Sequence, residues 1–594
     1  MKRYLCSFLA ILALTITASS AAAAQAQSDE SSANAPRTGT ISGRVVNDNG
    51  QPLANAVVTV RAFGRGTPGR PTTTDNEGSF QLSGLDPAAY VVTVSLPGYV
   101  TAPRDPDVNP IAYYHLGDTA RLEMIKGGVI TGTVTRATGE PVVIIPVRAY
   151  MIRDGKGQPA RYGAPISQQT TDDRGVYRIY GLPVGTYVVS AGGDSSSAYY
   201  VSAYSGDAPT YSPSATRDTA AEIFVRAGEE TTNVDIRYRG EPGHTVSGIA
   251  GSAVVVDQPP GFTVTLSSTF NGASQSSYSA FQPPGGRGFS FNGVADGDYD
   301  LVAQSYFPGG DWIVSAPGRI KVKGADITGL EITAKPLGSI SGRLVLEESK
   351  APECKGKRRP LFGEIVLGPW HNEKNVPKDL PLFVWGLGVP TLPDKQGAFV
   401  LRNLAPGEYR FNVRPEAKYW YLKSISWPLS PTPSGPSTSK ATPPTRPFDA
   451  ARNWTTLKSG ERLSGLTITL AEGAASLRGQ IDAPEGQKLP PKLFVYLAPA
   501  ESEKAADVLR YFASLVSGDG SFALNNLAPG RYWAIARTAG ENESNILLKL
   551  RLPDEAEARA KLLHDAAAAK IETEFKPCQN VTDYRLPFRA ASAP

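Results

Sequence analysis

The chain has 594 residues, too many for one hydrophobic core and enough for several domains. Its 60 basic and 56 acidic residues nearly cancel, leaving +4, a balance that gives no case for nucleic-acid binding, which usually needs a clustered basic face. Glycine (59) and proline (49) are abundant but short of low-complexity levels, as many turns between many short strands demand.

At the N-terminus, Lys2 and Arg3 precede an apolar run from Tyr4 to Ile16. Small residues follow, and Ala24-Gln25-Ala26 fits an A-x-A cleavage site. This predicts a signal peptide over 1–26, followed by a polar leader over 27–37. A membrane anchor is the rival reading, but the run is shorter than the ~20 residues a span needs. Cys6 lies on the wrong side of the run to accept a lipid. No later stretch is apolar enough to cross a bilayer, so the mature chain is expected to carry no transmembrane segment. The expected location is exported: periplasmic, outer-surface associated or secreted. Processing leaves Cys354 and Cys578. In an oxidising compartment they are a candidate disulfide, provided their Cα atoms come within ~4.4–6.8 Å; two unrelated buried thiols are the alternative.

Internal repetition decides the rest. An apolar-x-Gly-x-apolar strand recurs at Ile41–Val45, Ile130–Val134, Val246–Ala250, Ile340–Leu344 and Leu477–Ile481. Each is followed by a second signature that ends on a tyrosine: Tyr90, Tyr187, Tyr299, Tyr409 and Tyr532. A turn glycine (Gly78, Gly175, Gly397, Gly520) lies 12 residues before the tyrosine in four copies, and the third copy, counted from Gly288, is one residue shorter. Phe80, Leu82 and Leu85 alternate with polar residues, as a half-buried strand requires. The L-x-P-G-x-Y element reads as a turn whose glycine takes a left-handed corner. The tyrosine then caps a small core, with its hydroxyl in reach of a loop carbonyl.

Strands at this spacing predict an all-β chain, a tandem array of about five antiparallel β-sandwich modules. Their expected bounds are 38–126, 127–241, 242–336 (divergent), 337–473 and 474–594. A Pro/Ser/Thr-rich mobile loop is expected at 425–448 in the fourth. An alanine-rich helical insertion is expected at 553–570 in the fifth, with acids in its first turn. Connections of a few residues make neighbouring modules semi-rigid.

The combination of G-x-I-x-G-x-V, Gly50 to Val57, and T-D-x-x-G-x-F-x-L resembles the carboxypeptidase regulatory-like domain, of the transthyretin-like and carbohydrate-binding-like sandwiches. The resemblance is strongest in the first two modules and weakest in the third. Whole chains of this form resemble multi-repeat exported proteins of soil-type Gram-negative bacteria. In metallocarboxypeptidases such a domain is an accessory, and the zinc site lies elsewhere. It implies a fold and leaves the function open.

Chemistry is sparse. None of His115, His244, His371 and His564 begins the His-x-x-Glu of a zinc site. No Gly-x-Ser-x-Gly elbow, P-loop or dinucleotide loop occurs. No catalytic residue, metal or cofactor is expected. Asp75, Asp172, Asp173 and Asp519 sit where either a turn or calcium would use them, with turn chemistry the simpler reading. Five of seven tryptophans fall between 370 and 454. Trp370, Trp385, Trp420 and Trp427 are the candidate ligand-binding residues, as flat rings for pyranose faces; an enlarged core is the bland alternative. The expectation is a non-catalytic binding protein for polysaccharide or cell-envelope glycan. The alternative is a periplasmic or surface scaffold for envelope proteins, without a sugar site. Burial of these rings would favour the scaffold.

Overall fold

The computed structural model describes residues 39–63, 69–102, 112–159, 167–193, 203–253, 261–269, 274–275, 288–306, 310–372, 388–414, 417–428, 432–433, 448–482, 489–490, 492–539 and 549–588. The expected signal peptide and leader, Trp385 and most of the loop 425–448 lie outside these residues.

Five sandwiches are built on one plan. Each begins with an opening strand: Gly39–Asn47, Gly128–Thr135, His244–Ser252, Gly338–Glu347 and Ala475–Asp482. The opening strand pairs antiparallel with a signature strand: Ser79–Leu85, Val176–Leu182, Gly288–Val294, Ala398–Leu404 and Ser521–Leu527. The facing layer is built around a tyrosine strand and a long antiparallel neighbour, with shorter strands at its edges. Those pairs are Tyr90–Ser95 with Val57–Ala62, Gly185–Ala191 with Pro146–Asp154, and Gly297–Tyr306 with Thr263–Ser268. Gly407–Arg414 with Val366–His371 and Gly530–Thr538 with Leu493–Pro499 complete the set. A separate cluster of buried side chains fills each sandwich. In the divergent third unit the two layers run together into one eight-stranded sheet.

The sandwiches are antiparallel except at one place. The opening strand pairs in parallel with the closing strand, as in Thr119–Lys126, Ile327–Pro336, Arg462–Glu472 and Asn580–Pro587. The whole intervening module serves as the long crossover that a parallel pair needs.

That pair explains the glycine at the centre of every opening strand. A Cβ on Gly43, Gly132, Gly248, Gly342 or Gly479 would lie 2.2, 2.0, 2.1, 2.1 or 2.5 Å from a carbonyl oxygen of the closing segment. In three units it would also lie 2.6–2.7 Å from the signature-strand phenylalanine Phe80, Phe399 or Phe522. The glycine is there because backbone and ring approach too closely for a side chain.

The left-handed corner of the signature falls earlier than the sequence reading placed it. Gly84, Gly181, Gly293, Asn403 and Asn526 have φ of 74°, 72°, 66°, 59° and 56°. Each sits at a register shift between signature and opening strands, so the residue forms a β-bulge. Gly288 opens a strand instead of forming a turn. All five signature tyrosines donate a hydroxyl hydrogen bond to the carbonyl four residues back, at 2.6–2.8 Å.

Two further expectations change in detail. The first residues of the segment 425–448 belong to the strand Trp420–Trp427, so no loop begins at Ile425. The helix Ala556–Ala569 lies within 553–570 and buries Leu562 and Ala566 against Tyr496, Ala498 and Tyr511 on the outside of the last sandwich.

Candidate functional site

The tryptophans were the leading candidates. Trp420 and Trp427 are both fully buried, at 0% exposure, in the core of the fourth sandwich. The Trp420 Nε1–H donates to Arg358 O at 3.3 Å, and the Trp427 Nε1–H lies 3.4 Å from Thr455 Oγ1. Neither ring can meet a ligand. The bulge between Leu422 and Ser424 produces this, because seven residues of regular strand would put the two rings on opposite faces.

Trp370 pairs across the strands with Arg410 and is half-buried. The guanidinium carbon lies 5.0 Å from the centre of the indole, so one face of the ring is already taken. Burial, with the Arg551 and Arg559 guanidinia nearby, pushes Arg410 down to about 9. Trp454, half-exposed, donates to Asp554 Oδ1 at 3.0 Å and so belongs to a junction.

The turn acids are engaged by their own turns. Asp75 Oδ1 accepts the amides of Glu77 and Ser79, Asp172 Oδ1 those of Arg174 and Val176, and Asp394 Oδ1 those of Gln396 and Ala398. These are Asx-turns. They hold the Asp172 carboxyl below the usual carboxylate range, and Asp519, bonded to Ser521, behaves likewise. Among the described residues no group of three His, Cys, Asp or Glu could hold a metal ion.

The built polar geometry lies between modules. Cys354 and Cys578 form a disulfide with Cα atoms 5.3 Å apart, joining the fourth sandwich to the fifth. Asn526 Nδ2 donates across the same boundary to Ala417 O and Trp420 O at 3.0 and 2.7 Å. One boundary earlier, Asn403 receives the Trp312 amide at 2.8 Å and donates to Gly310 O at 3.1 Å. Arg402 and Arg462 converge there on Asp311, at 2.6 and 3.5 Å. Between the second and third units the bulge glycine Gly293 lies against Ser205 and Asp207 backbone.

One contact joins modules that are not neighbours in the chain. Ala89 and Tyr113 of the first sandwich bury with Val366 of the fourth, flanked by Phe63, Val91 and Leu392. His115 Nε2 lies 2.8 Å from Glu364 O. The Glu364 side chain, only 4% exposed, is paired with Arg358 and accepts the Leu361 amide at 2.9 Å. Asp118 holds the His115 amide at 2.7 Å. Sequence reading missed this surface, since nothing in a repeat says which copies touch.

The fold therefore defines a multi-domain all-β protein whose sandwiches meet through specific contacts. Its first unit is a carboxypeptidase regulatory-like domain: the model of that family matches residues 40–114. No curated protein matches the chain. Similar solved structures include the Bacillus anthracis TIE protein, 16% identical, over 50% of this chain and 51% of that one, with a TM-score of 0.13. BcpA, the major pilin subunit of Bacillus cereus, is 11% identical over 50% of this chain and 99% of its own, with a TM-score of 0.14. GBS52, a minor pilin of Streptococcus agalactiae, is 12% identical over 37% and 99%, with a TM-score of 0.18. The matched part spans about half the length of the TIE protein. Scores this low assign nothing to the present chain.

Proposed function

We propose that this chain is an exported, non-catalytic scaffold: a fixed array of sandwiches that holds envelope proteins at set positions. The observation that carries the reading is the docking of the first sandwich on the fourth through Tyr113, Val366 and the His115–Glu364 contact. A chain of independent binding beads has no use for such a closure. Bulge residues at the successive boundaries and a disulfide at the last one restrict the same motions. A disulfide also suits an oxidising compartment outside the cytoplasm. Glycan recognition by the fourth module's tryptophans loses support, because Trp420 and Trp427 are core residues and Trp370 is half covered by Arg410. No helix among the described residues is long and apolar enough to cross a membrane.

Small-angle scattering of the mature chain tests the reading. A closed array has one compact profile, and Tyr113→Glu, which puts a charge into the first–fourth contact, expands it while each sandwich keeps its fold. A wild-type profile of loosely jointed beads, unchanged by Tyr113→Glu, would sink the proposal.

A further inference from the structure

An exposed aromatic pair lies at the boundary between the third and fourth sandwiches, away from the tryptophans singled out by sequence. Tyr306 is 62% exposed. It pairs across a hairpin with half-exposed Trp312, their ring centres 5.6 Å apart. The backbone beside Trp312 is fixed from the fourth sandwich by the two Asn403 hydrogen bonds, so the aromatic pair is pre-positioned.

Next to it runs an open groove of about 580 Å³ on the solvent face of the fourth sandwich. Its floor is made of short side chains, including Ser341, Ala398, Val400 and Thr467. Arg402 lines the groove and also holds Asp311, the neighbour of Trp312, which brings the end of the groove and the aromatic hairpin to the same boundary. Arg343 lies opposite Ala398 in the ladder, four residues along the strand from Arg402. That puts their backbone positions about 13 Å apart along the strand. Arg343 is exposed and has no ion-pair partner among the described residues. Asp394, the carboxylate on the groove wall, is occupied by its own turn. Arg343 thus offers a guanidinium, unpaired among the described residues, at one end of the groove, and the flat ring pair lies beyond Arg402.

We propose that this surface binds a carboxylated oligosaccharide, with a sugar face on Tyr306 and a uronate carboxylate on Arg343. An aromatic platform accepts the apolar face of a pyranose ring, and a guanidinium takes a carboxylate in bidentate fashion. A floor of short side chains leaves room for ring substituents. An acidic peptide would use Arg343 but has no need of an exposed ring pair. The site goes beyond the scaffold reading and stands or falls separately from it.

Calorimetry on the full mature chain tests it, with an oligogalacturonide, a neutral oligosaccharide of equal length and a polyglutamate peptide. The oligogalacturonide is expected to bind more tightly than either other probe. Tyr306→Ala weakens it by about tenfold or more, as loss of an anchoring ring does. Arg343→Gln removes the preference for the acidic over the neutral sugar. Phe224→Ala, which deletes a 50% exposed ring on the second sandwich, leaves binding unchanged. The proposal is overturned if the oligogalacturonide does not bind at millimolar concentration, or if the neutral sugar or the peptide binds as well. It is equally overturned if Tyr306→Ala or Arg343→Gln has no effect.

Discussion

Replacing Gly342 with alanine puts the repeat to a direct test. The new Cβ would lie 2.1 Å from Leu466 O and 2.7 Å from the Phe399 ring, both inside the fourth core. The oxygen is backbone on the closing strand and cannot rotate away. Relief requires the opening and closing strands to part by more than a bond's tolerance, and the Phe399 ring to leave its rotamer. Overpacking in a well-filled core costs about 1–3 kcal/mol, and a backbone clash belongs at the top of that range. About 3 kcal/mol is a hundredfold or more in an opening equilibrium. Hydrogen exchange read by mass spectrometry reports each sandwich separately in the intact chain. The slow amides around Leu344, Ile468 and Leu470 should exchange a hundredfold faster, with the other four sandwiches unaffected. Gly518→Ala is the control, since a Cβ there meets nothing within 4 Å; it should change stability by less than about 0.5 kcal/mol. If Gly342→Ala matches this control, close strand approach is not the reason for the glycine.

Further expectations follow from the same geometry. Tyr409→Phe removes the hydroxyl that donates to Ala405 O at 2.8 Å and strands a buried carbonyl, at a cost of about 1–2 kcal/mol confined to the fourth sandwich; an exchange pattern spread over several modules would contradict it. Cys578→Ser removes a cross-link between residues 224 apart in sequence. A loop of that length is worth roughly 3–5 kcal/mol, so the urea midpoint should fall, and reductant should bring wild type to the same value. Burial raises the phenols of Tyr299 and Tyr532 to about 12, above the ~10 of an unfolded chain. Raised phenols contribute stability that is complete below pH ~10 and is lost as pH climbs toward 12. Ultraviolet titration should therefore show a late ionising fraction coincident with unfolding, and early ionisation of every tyrosine in a still-folded chain would refute it.

What the sequence disclosed was whatever recurs. The opening-strand glycine, the alternating signature strand and the tyrosine are each repeated five times, and each does a job internal to one sandwich. Features that depend on a local break in regularity were not legible. The seven-residue spacing of Trp420 and Trp427 suggests opposite faces, and only the extra residue at Lys423, paired outward with Glu347, turns both rings inward. The parallel closing strand was hidden for a different reason. A strand's sequence marks which face is buried but not which neighbour it joins, or in which direction. The docking of the first sandwich on the fourth had no sequence signal either, because Tyr113, Val366 and Leu392 read as ordinary core residues of their own modules.

The bulge position joins the repeat to the assembly. Its backbone must be left-handed, which restricts it to residues such as glycine and asparagine. In the first sandwich, where nothing precedes it among the described residues, a Cβ on Gly84 meets no atom within 4 Å. At Gly293 the preceding module comes so close that a Cβ would lie 2.5 Å from Ser205 O, and only glycine fits. At Asn403 and Asn526 the preceding module stands further off, and an amide side chain spans the gap with two hydrogen bonds. At Gly181 a Cβ also meets nothing within 4 Å although a module precedes it, so the residue follows the width of the joint only at the third, fourth and fifth sandwiches. A repeat that needed the bulge only for its own sheet could use glycine throughout. Asparagine at the last two joints fixes the boundaries on either side of the fourth sandwich, which is also the one that receives the first.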